Sequence, residues 1–119
     1  MQTSMFQRHG GLERVSDLVM AFYDRVLASK RLAPFFRNAD MRRLIEHQAQ
    51  YISAVMGGPA SYTEAQLHEV HAHLDIADAD FDEMLGHFRA AMREKGFPAE
   101  DIETVLRRLA ALRRVVVSR

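Results

Sequence analysis

The sequence predicts an all-α fold, and three observations predict it. Apolar residues recur at helical spacing along most of the chain. Glycines and prolines cluster between those stretches, and no two segments read as a strand hairpin. At 119 residues the chain fits one domain, taken as 1–119. A chain of this size buries roughly two thirds of its unfolded surface, enough for one small core.

The elements follow in order. A short first segment ends at Gly10-Gly11. The second runs to about Ser29, with Val15, Leu18, Val19, Phe22 and Val26 on one face. Pro34 and Phe35-Phe36 form a tight aromatic connection. The third spans about Asp40 to Met56 and carries Met41, Leu44, Ile45, Gln48, Ile52 and Val55 on one face, with Asp40 as its N-cap. Gly57-Gly58-Pro59 stops it. Thr63 and Gln66 read as a capping box that opens a short helix from Thr63 to Leu74. Such a helix is not stable alone and needs a surface to dock on. The next segment holds Phe81, Met84, Leu85, Phe88 and Met92 and stops near Gly96. Pro98, as a first helical residue, opens the last helix with Glu100 and Asp101 beside its positive end. Its buried stripe is Ile102, Val105, Leu106, Leu109 and Leu112. Val115-Val116-Val117 either frays or packs.

Composition excludes several classes. Sixteen basic and sixteen acidic residues cancel, which leaves no electrostatic case for a nucleic-acid partner. Cysteine is absent, so no disulfide, thiolate nucleophile or cysteine-ligated zinc site exists. No segment reads as a signal peptide or a membrane span, and a cytoplasmic protein is the expectation.

Three polar residues interrupt the apolar stripes. His71 lies on the face of Leu67, Val70 and Leu74. A buried imidazole without a partner costs roughly 1 to 3 kcal/mol, so it either bonds a backbone carbonyl at the core edge or ligates a metal. His68, three residues earlier, would share that face as a second ligand. The spacing from His68 to His71 is one residue short of the H-E-x-x-H metalloprotease pattern. Gln48 breaks the third stripe and either reaches solvent at its edge or sits inside. Tyr23 follows Phe22 and is a core tyrosine unless its hydroxyl serves a pocket. His47 and the pairs Arg42-Arg43, Arg107-Arg108 and Arg113-Arg114 read most simply as solvated. Together the polar trio suggests a metal-centred pocket in an apolar helical protein.

Read in order, Gly10-Gly11, Phe22-Tyr23-Asp24-Arg25-Val26-Leu27, Leu32-Ala33-Pro34-Phe35-Phe36, His47-Gln48, Gly57-Gly58-Pro59 with Tyr62-Thr63, His71, and Gly96-Phe97-Pro98 resemble the group I truncated (two-over-two) haemoglobins over nearly the whole chain. The resemblance implies a shortened globin fold, a two-over-two helical sandwich around one haem b. His71 aligns with the proximal iron ligand. Tyr23 and Gln48 would donate hydrogen bonds to a diatomic gas, with Leu44 at the distal gate. Phe35, Phe36, Leu67, Ile76, Phe81, Met84 and Phe88 would surround the haem. Arg43 would meet a propionate, as would His68, which stands where a basic residue is common. His47 is implied as a sixth ligand in relatives with histidine there. No histidine follows His87, so the covalent attachment to a late histidine found in some members is not expected. Leu74-Asp75 replaces a common glycine and implies a stiffer loop. The implied function is reversible binding of dioxygen or nitric oxide, supporting nitric oxide dioxygenation with a separate reductase. The alternative is a haem-based gas or redox sensor.

Overall fold

The structure, a computed structural model, describes residues 4–58, 71 and 74–117. Among these the regular elements are all helical. They are α1 (Met5–Arg8), α2 (Gly11–Leu27), a 3₁₀ turn (Ala33–Phe36), α3 (Met41–Val55), α4 (Asp78–Glu94), α5 (Ala99–Ala110) and α6 (Arg113–Val116). The expected helix from Thr63 to Leu74, with its Thr63–Gln66 capping box, lies outside the described residues except for His71 and Leu74.

Local chemistry sets the boundaries. Ser4 Oγ accepts from the Gln7 backbone N–H at 3.1 Å, and the Gln7 side chain accepts from the Ser4 N–H at 3.3 Å. This reciprocal cap opens α1. Gly10 and Gly11 both hold positive φ, 96° and 74°, which lets the chain turn directly into α2. Asp40 caps α3 as expected, its carboxylate accepting from the Arg43 N–H at 3.3 Å. At the other end a Cβ on Gly58 would lie 2.9 Å from the Ser53 carbonyl oxygen and 3.0 Å from the Phe6 ring. Glycine is therefore required where α1 crosses the end of α3. Pro98 is the residue before α5 rather than its first helical residue, a shift of one from the sequence expectation. Glu100 and Asp101 occupy the first turn and Arg107 and Arg108 the last, matching the helix dipole at both ends.

Helix α2 packs on both α3 and α4, and α4 packs on α5. The pairs α2/α3 and α4/α5 make the two-over-two sandwich. Val15, Leu18, Val19, Phe22 and Val26 of α2 are buried at its centre. Removing about one methylene there costs about 1 kcal/mol before any cavity cost is added. Phe22 meets Phe88 of α4 edge to face at 5.3 Å between ring centroids. The closing valines pack: Val115 and Val116 are buried, and Val116 joins Ile76 and Phe81.

Two buried carboxylates fasten the ends. Asp101 accepts from His9 Nε2 at 2.8 Å and pairs with Arg8. Burial pushes its carboxyl up, but the bonds and charges of His9 and Arg8 outweigh that and hold it below the ordinary range. Asp80 accepts from the Ala77 N–H at 3.0 Å and from Arg31 at 3.2 Å, tying the loop after α2 to the start of α4. No described helix is long and apolar enough to cross a membrane.

Candidate functional site

The sandwich does not close completely. A mostly apolar cleft, part of it open to solvent, runs between the helices. Every described element except α1 contributes to it. Tyr23 comes from α2, Phe35 and Phe36 from the 3₁₀ turn, and Leu44, Gln48, Tyr51 and Ile52 from α3. Phe81, Met84, Leu85 and Phe88 come from α4, and His71, Leu74 and Ile76 from the segment before it. Leu109, Leu112 and Val116 close the far end.

The polar groups within this apolar wall are few. The Tyr23 side chain is buried, and burial raises its hydroxyl well above the ordinary phenol range. Tyr51 is half-buried, and burial pushes its hydroxyl up to about 12. Both phenols therefore keep their protons at neutral pH. Gln48 is half-buried on α3, one turn from Leu44. Among the described residues no hydrogen bond engages the Tyr23 hydroxyl or the Gln48 amide. Both are placed to donate to water in the open part of the cleft or to a group bound there. His71 is helical and half-buried in the same wall.

The structure thus brings together most of the residues expected from sequence: His71, Tyr23, Gln48, Leu44, Phe35, Phe36, Ile76, Phe81, Met84 and Phe88. It leaves two apart. His47 is exposed on α3 and does not line the cleft, because it is one residue, about 100° of helix, away from Gln48. Arg43 is also exposed and outside the lining. Leu67 and His68, expected beside the haem, lie outside the described residues. Among the described residues no group of three or more histidine, aspartate or glutamate side chains is arranged to hold a bare metal ion. Sequence reasoning missed Tyr51. The signal was present, since Tyr51 follows Gln48 by three residues and so shares its helix face.

An all-helical two-over-two sandwich with an apolar cleft lined by an imidazole points to a globin. The sequence pattern of the bacterial-like globin family matches residues 4–118. Over 109 residues the chain is 36% identical to the group 1 truncated hemoglobin GlbN of Mycolicibacterium paratuberculosis, covering 92% of this chain and 80% of that one. The fold matches the crystal structure of truncated hemoglobin from Tetrahymena pyriformis with a TM-score of 0.88 at 24% identity, covering 98% of this chain and 100% of that one. It also matches the 2/2 hemoglobin of Synechococcus sp. PCC 7002, with a TM-score of 0.86, 24% identity and coverage of 98% and 100%. That protein was crystallised with covalently attached haem. The chain belongs to the bacterial-like globins and, within them, to the truncated haemoglobins. Membership carries haem and small-gas binding as the coarse function.

The residues present fit haem. The walls are aromatic and aliphatic, as a macrocycle requires, and the His71 imidazole, a residue type that ligates haem iron, stands among them. The Tyr23 phenol and the Gln48 amide place hydrogen-bond donors in this mostly apolar wall.

Proposed function

We propose that this chain binds one haem b non-covalently and uses it to take up dioxygen and nitric oxide. The observation that carries the reading is that His71, Tyr23 and Gln48 line one apolar cleft. When bound, haem would supply an iron able to take an imidazole and a small diatomic gas. His71 holds the group through an imidazole nitrogen. Phe36 wedges against its plane, while Phe35, Phe81, Met84 and Phe88 exclude water from its sides. Arg43 and His68 serve the propionates at the surface. The Tyr23 hydroxyl and the Gln48 amide each offer a proton to a gas that acquires negative charge on binding. Such a donor in a dry pocket contributes about 1.5 to 3 kcal/mol. Leu44 offers none and sets the size of the entrance. The attachment is non-covalent because no histidine follows His87.

The chemistry best suited to these groups is nitric oxide dioxygenation. One nitric oxide, one dioxygen and one electron give one nitrate. The electron comes from a separate reductase. Two measurements test the reading. The purified chain is expected to show a Soret band that shifts with carbon monoxide, and to consume nitric oxide catalytically when a reductase and dioxygen are present. A purified chain that takes up no haem contradicts the cofactor assignment. Haem loading without turnover, together with ligand-dependent self-association, replaces the enzyme with a sensor.

A further inference from the structure

Among the described residues three large apolar side chains are exposed, Leu12, Met20 and Leu27, at 49%, 53% and 44%. Exposed apolar residues scattered singly carry no meaning. These three are not scattered, because all stand on α2. Their spacings of eight and seven residues place them within an arc of about 80° on an ideal helix, along about 22 Å of its length. Ser16, a small residue, and Tyr23, which is buried, fall inside the same arc.

The charges beside this stripe have one sign. Glu13, Asp17 and Asp24 are exposed and follow it along one edge, about 20° to 60° further round the helix. No ion pair among the described residues engages any of the three. The two cations of α2 are turned elsewhere: Arg14 donates to the Lys95 carbonyl at 2.6 Å and Arg25 pairs with Glu94. The outer face of α2 therefore presents apolar anchors with a row of unneutralised acids.

We propose that this face docks a partner protein through a helix whose apolar side chains are flanked by lysine or arginine. Apolar anchors supply the affinity of such an interface, and complementary charge supplies rate and register. Two copies of this chain joined α2 to α2 would set acid against acid, so charge complementarity points to a different, basic partner. Leu12, Met20 and Leu27 themselves do not line the cleft, but Tyr23, between them on the helix surface, does, so the docked partner would sit on the outside of one cleft wall.

The probe is a synthetic amphipathic helical peptide of about 18 residues, leucine on one face and lysine beside it. It is titrated into isotope-labelled holoprotein in the ferrous carbonyl state. Amide shifts are expected on residues 12 to 28, with binding about tenfold weaker in the double variant Leu12→Ser, Met20→Ser and in Asp17→Lys, Asp24→Lys. Raised salt weakens binding to wild type and strengthens binding to the Asp17→Lys, Asp24→Lys variant, whose charge contact with the peptide is repulsive. A glutamate-for-lysine peptide is expected not to bind. Shifts mapped to another surface, equal affinity in wild type and both variants, or no binding at all overturns the proposal. So does a dimer of the protein alone that the Met20→Ser change abolishes, which would make a second copy the occupant.

Discussion

The rings of Tyr23 and Phe36 meet edge to face, with centroids 5.5 Å apart and planes at 80°. This contact joins α2 to the 3₁₀ turn and fixes the phenol where the cleft needs a donor. Tyr23 also meets Phe22 at 5.0 Å. Two edge-to-face contacts of this kind leave the ring little freedom, so its hydroxyl is set in place before any ligand arrives.

Loss of either cleft donor is expected to speed dioxygen release. In Tyr23→Phe and in Gln48→Leu the dissociation rate should rise roughly ten- to a hundredfold, the equivalent of one charge-assisted hydrogen bond. Both act on one ligand, so the double variant falls short of the product of the two effects. Carbon monoxide, which gains little charge on binding, should leave at nearly the wild-type rate. Stopped-flow dissociation kinetics measure all of these. Unchanged dioxygen release in both variants would make the two residues packing alone.

Much of this site was legible in the sequence because each polar residue broke an apolar stripe. Gln48 stood among Leu44, Ile45 and Ile52, and the structure turns that face into a cleft wall. That also explains why Leu44 is half-buried, not buried. Other parts were not legible, since they depend on packing between distant elements. Leu109, Leu112 and Val116 read as a core stripe and a tail, and only their docking against α4 makes them the end of the cleft. The Arg8–His9–Asp101 cluster joins residues about 90 positions apart, beyond the reach of local pattern. The Leu74-Asp75 departure did have a structural meaning. Asp75 is the non-glycine residue with positive φ among those described, at 58°.

That backbone position yields a second prediction. A left-handed conformation costs a β-branched residue about 1 to 2 kcal/mol and costs glycine nothing. Asp75→Val and Asp75→Gly both remove the carboxylate, so their comparison isolates the backbone. The valine variant should be less stable than the glycine variant by about 1 to 2 kcal/mol in urea titration. Equal stabilities would contradict the left-handed assignment.

A third prediction concerns acid. The Asp101 carboxyl is held below its ordinary range in the folded state. The unfolded chain therefore takes up a proton first as pH falls. The resulting stability is present above the unfolded value, about 3.9, and is lost as pH falls through the folded one. Asp101→Asn lacks this term. Its urea midpoint should be lower than wild type near pH 7, and the gap should shrink below about pH 4. A gap independent of pH would mean that the ion pairs with Arg8 and His9 contribute nothing.

His47 gives a fourth. With α3 placed as observed, its imidazole is exposed and away from the cleft lining. Ferric wild type near neutral pH should be high-spin, and His47→Ala should leave the spectrum unchanged. A low-spin ferric spectrum that the substitution converts to high-spin would mean that α3 shifts to bring His47 in as a sixth ligand.

The central claim is that His71 carries the iron. The measurement that tests it most directly is the haem content and absorption spectrum of His71→Ala, purified beside wild type, His47→Ala and His87→Ala. The account predicts that His71→Ala alone loses most of its haem and that added imidazole restores both haem and the Soret band. Full haem retention in His71→Ala, with a spectrum like that of wild type, would contradict it.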